Sequence, residues 1–214
     1  MKKKYLITVI VSFMALLLAA CGNSSDGQND RKDTESSIQL DNAQVPSESE
    51  DDESKFTGKQ MLDFSVTTIQ GETFSLSDVL KKKEAVMVNF WATWCHPCES
   101  EMPYIQEAYE QYKDKVDIIA LSIEPSDTND VLKKYVKEHN MTFAVANDAE
   151  TGINPETRLS NIYTEYSIPV TLLVDRFGTI VYYGEGSALS TESFTRLFDA
   201  VIGDNYTSSK ILKD

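Results

Sequence analysis

A chain of 214 residues with 34 Asp and Glu against 20 Lys and Arg carries a formal charge of −14 at pH 7, which argues against nucleic acid and other polyanionic partners. Its 41% hydrophobic residues suffice for a folded core. Three cysteines and two histidines leave little from which to build a four-ligand zinc site.

In chain order, Lys2, Lys3 and Lys4 precede a run from Tyr5 to Leu18 that is apolar apart from Thr8 and Ser12. The run falls short of the roughly 20 residues of a membrane span and has the flanks of a secretory signal. Leu18-Ala19-Ala20-Cys21 resembles a bacterial lipobox, which implies cleavage before Cys21 and diacylglycerol on its thiol. The alternatives are an ordinary signal peptide or an uncleaved anchor. Two acyl chains anchor stably, at about 0.8 kcal/mol per buried methylene. Residues 22–55 contain almost no large apolar side chains, carry −7 and end in Glu48-Ser49-Glu50-Asp51-Asp52-Glu53. That composition predicts a disordered, self-repelling acidic tether. Residues 56–214, with a charge of −10, are of a size for one domain.

Within that domain, Phe64-Ser65-Val66 and Thr73-Phe74-Ser75-Leu76 around Gln70-Gly71 predict a leading hairpin. The apolar run Ala85–Trp91 predicts a strand buried on both faces, followed by a helix from Cys95 to about Lys113 with Pro103 inside it. Val116–Ile123 reads as a second buried strand. Asp127–His139 reads as a helix with Val131, Leu132, Tyr135 and Val136 at apolar spacing, and Thr142–Val145 as a short strand. A further helix is expected over Pro155–Tyr166, with Leu159, Ile162, Tyr163 and Tyr166 on one side. Val170–Val174 and Thr179–Tyr183 flank the turn Arg176-Phe177-Gly178, and Thr191–Ile202 closes as a helix capped by Ser190. The predicted order, β-β-β-α-β-α-β-α-β-β-α, implies an α/β fold with a mixed sheet covered on both faces.

Cys95 and Cys98 are two of the three cysteines, separated only by His96-Pro97. Zinc would need further ligands, which only His96, His139 and Cys21 are left to supply. A disulfide closing so short a loop is a weak staple, about 2 kcal/mol against about 4.7 for a 100-residue loop. A redox pair fits best, because the pair follows a buried strand where a helix should begin. There the unpaired N–H groups and the positive end of the macrodipole favour a thiolate. In such sites the thiol pKa falls to about 7, a preference of about 2 kcal/mol for the charged form. Cys95 is therefore the candidate nucleophile and Cys98, three residues on, the resolving thiol.

Trp94-Cys95-His96-Pro97-Cys98, preceded by Val88-Asn89-Phe90-Trp91-Ala92, resembles the active site of the thioredoxin superfamily. Glu101-Met102-Pro103 and the lipobox make the chain most similar to the TlpA/ResA-like extracytoplasmic thiol-disulfide oxidoreductases. The resemblance spans most of Phe56–Ile202 and implies a thioredoxin fold with an N-terminal β-hairpin. It also implies a central αβ insertion at about Asp127–Asn147. Ile168-Pro169-Val170-Thr171 matches that family's cis-proline segment, so Ile168 and Pro169, with Trp94 at the rim, are implied to bind substrate. An aspartate of cytoplasmic thioredoxins, six residues before the first cysteine, is here Asn89, which cannot titrate. Glu101 matches the acidic residue of ResA-like members, and burial should raise its pKa and suit it to take the proton of Cys98. Glu99 is expected only to complement the helix dipole. His96, mostly neutral at pH 7, would favour an oxidant when charged, whereas Glu99 and Glu101 press towards a reductant.

The resemblance further implies an electron donor of the CcdA/DsbD type in the membrane. Implied clients are disulfide-containing secreted or envelope proteins, such as apocytochromes or methionine sulfoxide reductases. The expected enzyme is a lipid-anchored extracytoplasmic monomer that uses no cofactor beyond its own dithiol and no metal. The competing readings are an oxidase for secreted proteins, or a binding lipoprotein whose Cys pair is structural. Of the remaining features, Trp91 and the Tyr163/Tyr166 pair are expected to pack, Asp175-Arg176 to form a turn, and His139 to sit at a helix C-terminus.

Overall fold

The structure is a computed structural model that describes residues 56–207 apart from residues 153, 166, 204 and 205. The expected signal segment with Cys21, the expected tether over residues 22–55, and Tyr166 lie outside the described residues. No described helix is long and apolar enough to cross a membrane.

Strands β1 (Ser65–Thr67) and β2 (Thr73–Ser75) pair antiparallel and bury Val66 against Phe74. The connection passes through Gly71 at φ 88°, a conformation that favours glycine. The strand expected to run through Leu76 stops one residue earlier, and α1 (Leu76–Leu80) follows. Leu76, Val79 and Leu80 have the i, i+3, i+4 spacing of a helix and pack on one apolar cluster. Asp63 accepts a hydrogen bond from the Ser77 N–H in the first turn. The short helix was hidden because its apolar triplet abuts the alternation of β2.

β3 (Ala85–Trp91) is buried at all seven positions, and α2 (His96–Tyr112), β4 (Val116–Ser122) and α3 (Asn129–Glu138) follow it. The chain continues through β5 (Ala144–Asn147), α4 (Leu159–Tyr163), β6 (Val170–Asp175), β7 (Ile180–Glu185) and α5 (Thr191–Val201). The five-stranded sheet runs β5-β4-β3-β6-β7. β3, β4 and β5 are parallel, while β6 and β7 are added antiparallel. Alternation along β3 sends Val86, Val88 and Phe90 to the face covered by the hairpin, α1 and α4. Ala85, Met87 and Trp91 point to the opposite face, with α2, α3 and α5. Asn89 shares that second register and is the one polar side chain of β3. The mixed sheet, the leading hairpin and the inserted α3–β5 unit make up the thioredoxin-like α/β architecture that the motifs imply.

Two other elements depart from expectation for local reasons. Residues 155–166 do not form one helix: a 3-10 turn (Pro155–Thr157) gives way to extended Arg158, and α4 starts afresh at Leu159. Asp148, buried and twelve residues upstream, accepts hydrogen bonds from the Ser160 N–H and hydroxyl and so fixes that second start. β5 begins at Ala144 rather than Thr142, because Thr142 bonds instead to Gln106 and Glu110 of α2. The Asp175-Arg176 turn is as expected, but Asp175 is fully buried. Its Oδ1 accepts from Phe177 N and Thr179 N, and its Oδ2 from the Tyr206 hydroxyl. The cap expected at Ser190 is present, with its side chain accepting from Ser193 N.

Candidate active site

The chain leaves β3 at Trp91, crosses Ala92-Thr93-Trp94 and enters α2 through Cys95, the N-cap. The Cys95 sulfur accepts a hydrogen bond from the Cys98 N–H at 3.3 Å. Pro97 occupies the first turn, where a missing N–H costs nothing. Cys95 and Cys98 are joined by a disulfide of 2.06 Å. Cys95 keeps 4% exposure and Cys98 none, so an incoming sulfur reaches only the first of them. On reduction the same N–H and the positive end of the helix dipole would face the Cys95 sulfur, an arrangement that favours a thiolate over a thiol.

An open cleft of about 660 Å³ lies over the pair, lined by Trp94, Cys95, Pro97, Ile123, Ser167 and Ile168 among others. The Ile168–Pro169 peptide bond is cis, and the Ile168 carbonyl oxygen sits 3.8 Å from the Cys95 sulfur. With no proton on a disulfide sulfur, this approach is packing rather than a hydrogen bond. Trp94 is 64% exposed and donates its indole N–H to Glu124 at 2.9 Å. Trp91, the last residue of β3 before this loop, is fully buried as expected.

Glu101 lies three residues along α2 from Cys98, on the same helical face and without solvent exposure. Its Oε1 accepts from Asn89 Nδ2 at 2.9 Å, and its Oε2 from the Ala188 N–H at 3.2 Å. Burial pushes the Glu101 pKa up to about 7, against the lowering effect of the Asn89 and Ala188 hydrogen bonds. Asn89 Nδ2 also donates to Thr171 Oγ1 at 3.1 Å, its register partner on β6. At the position where cytoplasmic thioredoxins carry an aspartate, the chain thus presents an amide that holds a carboxyl from the next helix.

Glu99 does more than meet the dipole. Its carboxylate lies 3.3 Å from His96 Nδ1 and 3.9 Å from His139 Nε2, drawing both histidines of the chain to one residue. His139 is the C-cap of α3 and stacks on Tyr135 at 4.0 Å. Among the described residues, no group of three or more His, Cys, Asp or Glu side chains gathers in the geometry of a metal site.

Sequence reasoning misses the contact that grips the entry to α2. The spacing puts Asp127 at the start of α3, but Thr128 caps that helix and Asp127 turns inward. It accepts from Thr93 N at 3.0 Å, Thr93 Oγ1 at 2.5 Å and Ser122 Oγ at 2.6 Å. The partners lie on segments up to 34 residues away, which no periodicity encodes. An Asp127→Ala variant strands three donors next to the redox pair. We expect a loss of about 3 kcal/mol in urea unfolding, with Asp127→Asn losing less. An unchanged midpoint in Asp127→Ala would show the clamp to be incidental.

A model of the AhpC/TSA family matches residues 57–183. Thiol-disulfide oxidoreductase ResA of Bacillus cereus is 38% identical over 132 residues, 61% of this chain and 70% of that protein. Thioredoxin-like protein YneN of Bacillus subtilis is 35% identical over 124 residues, 58% of this chain and 68% of that one. Among solved structures, a thiol:disulfide interchange protein of the thioredoxin family from Chlorobium tepidum superposes with a TM-score of 0.56 at 25% identity. That match covers 70% of this chain and 99% of the other.

Proposed function

Because the chain belongs to the AhpC/TSA family, and within it to the ResA-like thiol-disulfide oxidoreductases, we propose that this oxidoreductase works as a reductase of disulfides in extracytoplasmic proteins. The observation that carries the reading is the asymmetry of the pair: Cys95 caps α2 at the cleft with an N–H donated to its sulfur, while Cys98 is sealed beneath it.

In the proposed cycle, the Cys95 thiolate attacks one sulfur of the client disulfide. A Cys95–client bond forms, the client S–S bond breaks, and the first client thiolate leaves. Cys98 gives its proton to Glu101 and attacks the Cys95 sulfur, expelling the second client thiolate and closing the Cys95–Cys98 disulfide. Two electrons have then passed from the dithiol to the client. Trp94, Ile168 and Pro169 form the platform for an extended client segment, which the Ile168 backbone would pair as an added strand. No cofactor beyond the dithiol is needed.

The Lys2–Lys4 charges, the apolar run and Leu18-Ala19-Ala20-Cys21 support lipidation of Cys21 and an extracytoplasmic site at the cell membrane. Residues 22–55 would then be the spacer and residues 56–214 a monomeric catalytic domain. A membrane thiol transporter of the CcdA/DsbD type would return the electrons. Secreted or envelope proteins, apocytochromes and methionine sulfoxide reductases among them, would receive them.

Direction follows from charge. Glu99, next to Cys98, and Glu101, three residues on and ionised as the pH rises past about 7, disfavour thiolate in the reduced state, which lowers the potential. Equilibration with glutathione and dithiothreitol buffers should give a midpoint of about −270 mV or lower. A midpoint near about −120 mV would instead mark an oxidase.

A further inference from the structure

The rim of the cleft carries charge of one sign. Glu165 lines it, Glu124 holds the Trp94 indole, and Glu185 accepts at 3.0 Å from Ser167, which also lines it. Among the described residues no lysine or arginine lines the cleft, and its one histidine, His96, lies beside the Glu99 carboxylate. The donors to Glu124 are Trp94 Nε1, Ser126 N and Ser126 Oγ, and those to Glu185 are Ser167 Oγ and the Tyr183 hydroxyl. All are neutral, so these hydrogen bonds leave the negative charge of both carboxylates uncancelled. The hydrogen bonds from Ser126 and Trp94 also hold Glu124 below the usual carboxylate range. A second feature points to the same ligand chemistry. An indole 64% exposed, with a carboxylate fixed at its N–H edge, offers a guanidinium both a face to stack on and an anion to pair with.

We infer that the cleft selects client polypeptides whose disulfide is flanked by arginine or lysine, with Glu124 and Glu185 as the specificity-determining carboxylates and Trp94 as the stacking face. The inference rests on the reductase reading and names the substrate class of that site. A basic segment entering beside Ile168 is drawn by these carboxylates through an attraction that salt screens over about 8 Å at physiological ionic strength. An acidic segment meets the same charges as repulsion, so selectivity arises from both attraction and exclusion.

The test uses the dithiothreitol-reduced protein and three disulfide-bridged peptides alike except for paired Arg, Ser or Glu residues beside the cysteines. Each second-order exchange rate, measured by stopped flow, is divided by the rate of the same peptide with dithiothreitol alone. The division removes the effect of the flanking charge on the leaving thiol itself. The arginine peptide is expected to react about tenfold faster than the glutamate peptide at low salt, with the gap closing to about twofold in roughly 0.5 M salt. In Glu124→Gln/Glu185→Gln the low-salt gap should shrink to about threefold. Asp114→Asn/Glu192→Gln changes the net charge equally but lies beyond the far end of α2 and on α5, and should leave the gap in place. Equal normalised rates for all three peptides would overturn the inference, as would a gap that the remote pair removes as fully as the cleft pair. A wild type that exchanges with none of the three would bring down the reductase reading itself, and this inference with it.

Discussion

A Cys95→Ser variant is expected to reduce disulfides no faster than buffer alone, while Cys98→Ser is expected to accumulate as a covalent complex with its clients. The two cysteines sit 5.2 Å apart at their Cα atoms, yet only one of their sulfurs faces the cleft. A serine hydroxyl at position 95 does not ionise near neutrality, and the helix dipole that stabilises a thiolate there has nothing to act on. Cys98, with no exposure, cannot substitute as the attacking group. In Cys98→Ser the first exchange proceeds normally and the second lacks its nucleophile, so the mixed disulfide persists. Insulin reduction should report the first loss. A reductant-sensitive mass increase on non-reducing gels should report the second. Both variants forgo the short-loop disulfide, a cost of about 2 kcal/mol against the oxidised protein, so both should fold. Wild-type turnover by Cys95→Ser, or release of clients by Cys98→Ser at the wild-type rate, would remove the asymmetry on which the reading stands.

The same asymmetry shows which parts of the molecule a sequence can disclose. β3 was legible end to end because a strand buried on both faces must be apolar at nearly every position. Its one exception, Asn89, was legible as a departure from a related pattern but not as a partner of Glu101. The paired groups lie on different elements, and Ala188, which completes the Glu101 cradle, is 87 residues away. Glu101 itself could be found, since three residues after Cys98 is the same face of any α-helix. Three other buried carboxylates carry no such helical offset from the dithiol: Asp127 clamps the loop before Cys95, Asp148 restarts α4, and Asp175 pins the last hairpin. Each is an ordinary surface residue type whose burial is offset only by donors brought from elsewhere in the fold. Local patterning discloses elements and the dithiol. The polar contacts that fix loops around the dithiol depend on tertiary structure and leave no periodic trace.

Replacing Glu101 by glutamine is expected to slow resolution by Cys98 about 100-fold near pH 7 and to make the protein more stable above that pH. The stability sign follows from where the proton resides. With a folded pKa of about 7 against an ordinary value of 4.5, the native state holds a proton between those limits that the unfolded chain has lost. Stability therefore falls as pH rises from about 4.5 to about 7, by about 3 kcal/mol in all, and is level on either side. Glutamine removes that slope. It still accepts from Asn89 but turns an amide N–H₂ towards the Ala188 N–H, losing one hydrogen bond worth about 1 kcal/mol. The net gain at about pH 8 should be about 2 kcal/mol, should vanish near about pH 5, and should become a loss of about 1 kcal/mol below about pH 4, where the carboxyl is neutral in both states and only the lost hydrogen bond remains. The kinetic effect has the opposite sign. Wild-type resolution should rise with pH through about 7 as Glu101 becomes able to accept a proton, then level off. In Glu101→Gln it should instead climb only where the buried Cys98 thiol ionises unaided, above the ordinary thiol value of about 8.5, so the two profiles converge in alkali. Single-turnover exchange from about pH 5 to about pH 10, alongside urea unfolding at the same pH values, measures both signs on one pair of proteins. Superimposable rate profiles would leave Glu101 a buried structural carboxyl. A slower rate with an unshifted profile would mean that it positions α2 without carrying the proton.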